Sequence, residues 1–308
     1  MAKNLKRFKV AGIGEILFDN LPGGRRLGGA PANFAIHCSL MGAESSVVSS
    51  VGEDQAGKDI LSELETKGID TSCISVNSRP TGSVDVKLCP EGQPEYIINE
   101  NSAWDYITIS PEALKLAANC DAVCFGSLAQ RNETSRKSIL YFLESAGDQC
   151  IKVFDVNIRQ QYYSREIIEN SLMISDILKL NDEELEIFRV MLGIEGLNDR
   201  QTLGHILNHY NLKLIALTLG AEGSIMADRE EYSHASAKAA KVRDTVGAGD
   251  CFTAAMVYSF LCGVSIEETN EFASKAASFV CTKDGATPSL PAEILDEIKN
   301  RQINTLQN

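Results

Sequence analysis

Apolar residues along this chain gather in short, nearly continuous runs, spaced by longer stretches of helical composition. Residues 10–17, 46–51, 122–125, 151–155, 177–180 and 214–219 read as strands, the first apolar enough to be buried on both faces. Between them, helices are predicted to begin near Glu133, Arg165, Asp182 and Arg200, and one of small and apolar residues covers 34–42, stopped by Gly42. Such βαβα alternation implies a mostly parallel sheet with helices on both faces, with ligands gathering at the carboxyl ends of the strands. The texture changes over 74–109. There, short alternating strands at 83–88, 96–98 and 106–109 are separated by turns at Pro90-Glu91-Gly92 and Glu100-Asn101. This antiparallel patch is expected either to cover a site or to pair with another subunit. Past residue 247, two helices are expected, one ending near Cys262-Gly263 and one over 266–282, then a turn at 284–288 and a polar tail.

The bulk numbers narrow the function class. A chain of 308 residues, 44% hydrophobic and 23% charged, has ordinary globular composition. Its net charge of −13 argues against a nucleic-acid surface, and an anionic substrate must be held by local donors. No run approaches the ~20 apolar residues of a membrane span, and the basic start leads into no signal peptide. Nine cysteines without a C-x-x-C pair read as reduced, mostly buried thiols, so a cytoplasmic location is expected. There is no internal repeat.

Chemistry concentrates in a few places. Gly247-Ala248-Gly249 crowd the start of a helix, where unpartnered N–H groups and the helix dipole suit an anion. Asp250 follows them, and a carboxylate repels what such a site attracts. It is either a helix cap or a base held beside a phosphoryl group. Gly28-Gly29 precede the 34–42 helix and permit close approach to the backbone, while Asn33 either caps that helix or points its amide at a ligand. Just past three strands stand Asp155-Val156-Asn157-Ile158-Arg159, Asn181-Asp182-Glu183-Glu184 and the turn from Thr218 to Gly223. Arg159 offers a fork for phosphate or carboxylate, and Asn181 with Glu184 offers hard oxygens suited to Mg²⁺ or its waters.

Several patterns point elsewhere. Gly12-x-Gly14 lacks the third glycine of a dinucleotide fingerprint. Gly52 to Lys58 matches G-x-x-x-x-G-K, but Asp59 stands where a hydroxyl is needed, two carboxylates sit inside the loop, and Asp54 reads better as a helix cap. His205 and His209 have no third ligand, Gly126-Ser127 lacks the nucleophile-elbow frame, and Cys251 reads as a small apolar residue. His37 and His234 receive no role.

Taken together, these residues resemble the ribokinase/phosphofructokinase-B family of sugar kinases over nearly the whole chain. Asp244-Thr245-Val246-Gly247-Ala248-Gly249-Asp250 is similar to its D-T-x-G-A-G-D signature, and Gly28 to Asn33 to its G-G-x-x-x-N signature. Asn181 to Glu184 fits N-x-x-E, and Thr218 to Gly223 fits T-x-G-x-x-G. Gly14 to Asp19, Asn101 to Asp105 and Gly285 to Pro291 read most like fructokinases. Two departures stand out: Asp155 to Gln160 lacks both prolines of D-P-N-x-R-P, and Gln55-Ala56-Gly57 varies the usual acidic-aromatic-glycine wording.

The resemblance implies an α/β, ribokinase-like three-layer sandwich, a single domain over 1–308 with a mostly parallel central sheet and a small antiparallel β lid from approximately 17–29 and 80–109. It implies transfer of the γ-phosphoryl of ATP to a sugar hydroxyl, fructose first, with Asp250 as base and Gly247, Ala248 and Gly249 stabilising the transferred group. Asp19, Gly28, Gly29, Asn33 and Arg159 would hold the sugar. Asn181, Thr218, Gly220, Gly223 and Gly249 would hold ATP, and Asn181 and Glu184 would order Mg²⁺, largely through water. Asp244 and Ala286 would take a monovalent cation, K⁺, and the lid would join two copies as a homodimer. A kinase for 2-keto-3-deoxygluconate, a non-catalytic sugar- or nucleotide-binding regulator and a hydrolase built on Lys58 are the alternatives.

Overall fold

A computed structural model describes residues 6–21, 23–88, 94–237 and 241–305. The first five residues of the basic start, Pro22 and the expected turn at Pro90-Glu91-Gly92 lie outside them. Strand β1 (Lys9–Ile13) is followed by β2 (Leu17–Leu21) and β3 (Gly24–Gly28), then α1 (Ala30–Leu40), β4 (Glu44–Gly52), α2 (Gln55–Thr66) and β5 (Ile74–Asn77). The hairpin β6 (Gly82–Leu88) and β7 (Pro94–Ile98) leads to α3 (Pro111–Ala117), β8 (Ala122–Phe125), α4 (Glu133–Glu144), β9 (Ile151–Asp155) and α5 (Arg165–Ile174). Next come β10 (Ile177–Asn181), α6 (Asp182–Leu192), α7 (Asp199–His209) and β11 (Leu214–Thr218). The chain closes with β12 (Ser224–Ala227), β13 (Tyr232–Ala235), α8 (Ala248–Leu261), α9 (Ile266–Val280) and α10 (Ala292–Thr305).

Among the described residues the large sheet has the order β13-β12-β11-β10-β9-β8-β1-β4-β5, parallel from β11 to β5 and antiparallel at β12 and β13. Strand periodicity sorts its side chains into two cores. On β8, Val123 and Phe125 join the layer formed with α4 to α7, while Ala122 and Cys124 join the layer under α1, α8, α9 and α10. Helices α1 and α8 are buried nearly all round, which explains their small, apolar make-up. A second sheet, β3-β2-β6-β7, has antiparallel hairpins joined by a parallel β2–β6 pairing.

Five local expectations change. The run 10–17 divides at Gly14 (φ 148°), whose carbonyl accepts from Ser49 Oγ at 2.6 Å; the chain leaves the large sheet there and enters the small one at Leu17. Residues 106–109 are not a strand. Ser102 starts a short 3₁₀ turn, Trp104 is fully buried, Asp105 pairs with Arg131 at 2.8 Å, and Ile107 N donates to Ser135 Oγ, so these backbone groups are satisfied against α4. Residues 74–77 extend the large sheet beside β4. The polar tail is helical, with Ile294 and Ile298 buried on its inner face. Helix α1 begins at Ala30, with Pro31 in the first turn where its missing N–H is no loss.

Candidate active site

A cleft of about 580 Å³ lies between the carboxyl ends of the large sheet's strands and the inner side of the small sheet. Of the residues singled out from the sequence, Asp19, Gly28, Gly29, Asn33, Arg159, Asn181, Glu184, Thr218, Asp244, Gly247, Gly249, Asp250 and Ala286 line it together. Gly220 and Gly223 do not line it; they bound a 3₁₀ turn, where Gly223 packs against the backbone of Ala235. Ala248 is the first residue of α8 behind the cleft wall, and its N–H bonds the carbonyl of Thr245 at 3.3 Å.

The start of α8 decides what Asp250 is. Gly247 is the N-cap residue, in the left-handed region (φ 76°), and no side chain caps the helix. A Cβ on Gly247 would stand 2.3 Å from the carbonyl oxygen of Ala286, so only glycine allows the loop this close to the 284–287 turn. Asp250 sits in the first turn without capping it. Its Oδ2 instead accepts from Asn33 Nδ2 at 2.7 Å, across 217 residues of sequence. Asn33 is likewise no cap, since Gly29 holds that position of α1. Burial pushes the Asp250 carboxyl up to about 6, with repulsion from Asp155 adding and the Asn33 bond, Lys179 and Arg159 opposing. A carboxylate so placed is ionised at neutral pH and still basic enough to take a proton.

Behind Asp250 lies a buried pair that the sequence reading missed. Lys179 Nζ sits 3.0 Å from Asp155 Oδ1, and Thr253 Oγ1 donates to Asp155 Oδ2 at 2.7 Å. Burial alone would lower the lysine's pKa, but Asp155, Glu184 and Asp250 together raise it, so it stays a cation in the cleft wall. A lysine in the middle of a buried parallel strand, Ile177-Leu178-Lys179-Leu180, was the available signal. Glu15, also missed, interrupts an apolar run. It is 2% exposed, and burial pushes it up to about 7. One of its oxygens accepts from Ala30 N at 3.3 Å and the other has no partner among the described residues. Burial also raises Asp19, against the pull of Arg159.

Asn181 and Glu184 form a reciprocal capping box at the start of α6. Asn181 Oδ1 accepts from Glu184 N, and Glu184 Oε2 accepts from Asn181 N, both at 2.8 Å. Glu184 Oε1 also accepts from Ile158 N at 2.9 Å, which anchors the loop carrying Arg159. Their oxygens thus already hold backbone donors, which suits ordering a hydrated Mg²⁺ better than direct ligation. Asp244 and Ala286 lie beside the loop that leads into α8, but Asp244 Oδ2 accepts from Gly285 N and Arg26, and the Ala286 carbonyl from His37. Asp244 thus already faces a cation of the chain itself, the Arg26 guanidinium, where the resemblance would put a monovalent cation.

The set-aside motifs lie elsewhere. Asp54 caps α2 by accepting from Gly57 N at 2.8 Å, so a carboxylate fills the would-be phosphate cradle beside Lys58. His205 and His209 stack on α7, and among the described residues no group of three or more His, Cys, Asp or Glu is placed to hold a metal. The eight described cysteines are free thiols, with Cys251 fully buried. Among the described residues no helix is long and apolar enough to cross a membrane.

Relatives in sequence and in fold are sugar kinases. The fructokinase of Solanum tuberosum is 29% identical over 277 residues, 86% of this chain and 83% of that one. The 5-dehydro-2-deoxygluconokinase of Bacillus velezensis is 28% identical over 283 residues, 89% of this chain and 85% of that one. The structure of an uncharacterized sugar kinase from Pyrococcus horikoshii in complex with ATP superposes with a TM-score of 0.78 at 26% identity, covering 94% of this chain and 99% of the other. The family model "pfkB family carbohydrate kinase" matches residues 23–293. The chain belongs to the pfkB family of carbohydrate kinases.

Proposed function

We propose that this ATP-dependent sugar kinase is a fructokinase, forming fructose 6-phosphate. The observation that carries the reading is the Asn33–Asp250 bond at the floor of the cleft. It aims a raised-pKa carboxylate at the space between the sugar-side residues of the small sheet and the start of α8. Asp250 accepts the proton of the attacking hydroxyl. The first-turn N–H groups of Gly249 and Asp250 have no intrahelical partner and face the charge that spreads over the transferred oxygens. Lys179, close behind Gly249, adds a positive charge on the same side. Asp19 and Asn33 accept from and donate to sugar hydroxyls, and the packing of Gly29 on the Glu15 backbone keeps that wall tight. Thr218 marks the nucleotide side of the cleft, with Gly220 and Gly223 shaping the turn behind it. Mg²⁺ bound with ATP would supply charge neutralisation on the phosphates, and Asn181 and Glu184 are the residues that would order it.

The small sheet acts as a lid, and its edge strands β3 and β7 are the surface for a second copy of the chain. The thiol-rich interior suits the cytoplasm. One observation favours a second substrate class: Arg159 lines the cleft and could receive a sugar-acid carboxylate. A coupled assay of ADP release with fructose and with 2-keto-3-deoxygluconate separates the two. The proposal expects the higher kcat/KM for fructose; preference for the acid replaces it with the sugar-acid kinase, and no turnover with any sugar of a panel leaves only a binder.

A further inference from the structure

Asp244 is a knot of three elements. Its Oδ1 accepts from Val246 N at 3.1 Å, which shapes the turn into α8. Its Oδ2 accepts from Gly285 N at 3.1 Å, which fixes the 284–287 turn on which Gly247 packs. Arg26 Nη1, reaching over from β3 of the small sheet, stands 3.2 Å from the same oxygen. The neighbouring acceptor also holds a donor of the chain. The carbonyl of Ala286 lies 3.0 Å from Nε2 of His37, which is completely buried on α1, and burial pushes that imidazole down to about 4, so it stays neutral and donates. The donors around this turn are therefore a guanidinium and N–H groups of the chain itself, and a guanidinium is a permanent monocation.

We propose that Arg26 is the built-in cation of this kinase. It is a positioning residue that neutralises Asp244 and ties the anion loop to the small sheet, where a free K⁺ would otherwise be required. The inference rests on the kinase reading, because it assigns the loop from Asp244 to Asp250 to phosphoryl transfer. The ion pair is half exposed, so its loss takes little from folding stability. Its effect runs through placement: Asp244 sets Val246 and, through Gly285, the seat of Gly247, and these aim the first turn of α8. A shift near 1 Å in such a loop lowers rates by about 10²-fold.

The test uses the full chain with Mg·ATP, prepared without alkali ions, and whichever sugar of the panel turns over fastest, so that it does not depend on fructose. Initial rates are compared in choline chloride and in KCl at equal ionic strength for the wild type, Arg26→Gln and Arg26→Lys. The wild type is expected to change less than about 2-fold between the salts. Arg26→Gln is expected to lose about 10-fold or more in kcat in choline, with KM for the sugar within about 3-fold, and to recover in KCl; Arg26→Lys recovers much of the rate in choline. Thermal melting, which needs no turnover, gives a second readout: KCl over choline raises the Tm of Arg26→Gln and leaves that of the wild type alone. A wild type activated about 10-fold or more by K⁺, an Arg26→Gln enzyme as fast as wild type in choline, a loss that KCl does not restore, or equal Tm shifts in both proteins overturns the proposal.

Discussion

Replacing Lys179 with Met tests the least expected part of the site. The ammonium lies 3.0 Å from Asp155 Oδ1, and a Cβ built on Gly249 would stand 3.1 Å from it. Two unit charges at that distance attract by about 5 kcal/mol at an effective dielectric near 20. Desolvation opposes this, and removing one partner of such a buried pair leaves the other uncompensated, for a net loss of about 3–5 kcal/mol of stability. The catalytic consequence is separate. Lys179 is one of the groups holding Asp250 down against burial and Asp155, so without it the Asp250 carboxyl rises above its present value of about 6. The base must be ionised to act, so kcat/KM falls as the pH drops through that pKa. An upward move of roughly one unit shifts the acid limb to near neutrality and halves the active fraction there. Loss of the charge behind Gly249 further lowers kcat, by about 10²–10³ if it acts as one transition-state donor does. Profiles of kcat/KM between pH 5 and 9 at saturating Mg·ATP, with Tm measured beside them, read all three effects. An acid limb in the wild-type position together with kcat within about 5-fold refutes the assignment.

Two further perturbations follow from the same geometry. Glu15 has a folded pKa of about 7 against 4.5 ordinarily, so the folded state holds the proton more tightly. Stability therefore falls as pH rises from 4.5 to 7, and the full penalty, about 3 kcal/mol, is present above 7. Glu15→Gln is expected to raise Tm at pH 8 and to reduce the difference in Tm between pH 5 and pH 8; a scanning-calorimetry series with unchanged pH dependence contradicts this. Gly247→Ala places a methyl 2.3 Å from the Ala286 carbonyl in a left-handed backbone, so kcat should fall about 10²-fold with the sugar KM little changed. Steady-state kinetics showing kcat within about 3-fold would mean that the loop tolerates displacement.

The sequence carried the alternation of the large sheet well because its strands are buried on both faces and its helices are capped by visible residues. Ile151–Asp155 and the helix starts at Glu133, Arg165 and Asp182 stand where the pattern put them. The candidate loops past the strand ends did converge on one cleft. What stayed hidden depends on contacts distant in sequence. Tyr106 to Ile109 has strand-like residues, but Ser135 accepts from the Ile107 N–H and Ser138 donates to the Ile107 carbonyl. Strand β13, Tyr-Ser-His-Ala over Tyr232–Ala235, has no apolar run to mark it. Lys179 and Glu15 sit inside apolar runs, where the eye reads core; only the folded chain brings Lys179 to Asp155 and places Glu15 under α1. Whether Asn33 and Asp250 were caps or functional groups could not be settled by spacing, because each finds its partner in the other, 217 residues away.

The central claim is that Asp250 takes the proton of the sugar hydroxyl. Asp250→Asn keeps the size of the side chain and an oxygen for Asn33 Nδ2, and removes only the base. Measured at saturating sugar and Mg·ATP, with Tm confirming the fold, kcat should fall by about 10²–10⁴. A fall of less than about 10-fold would contradict the account.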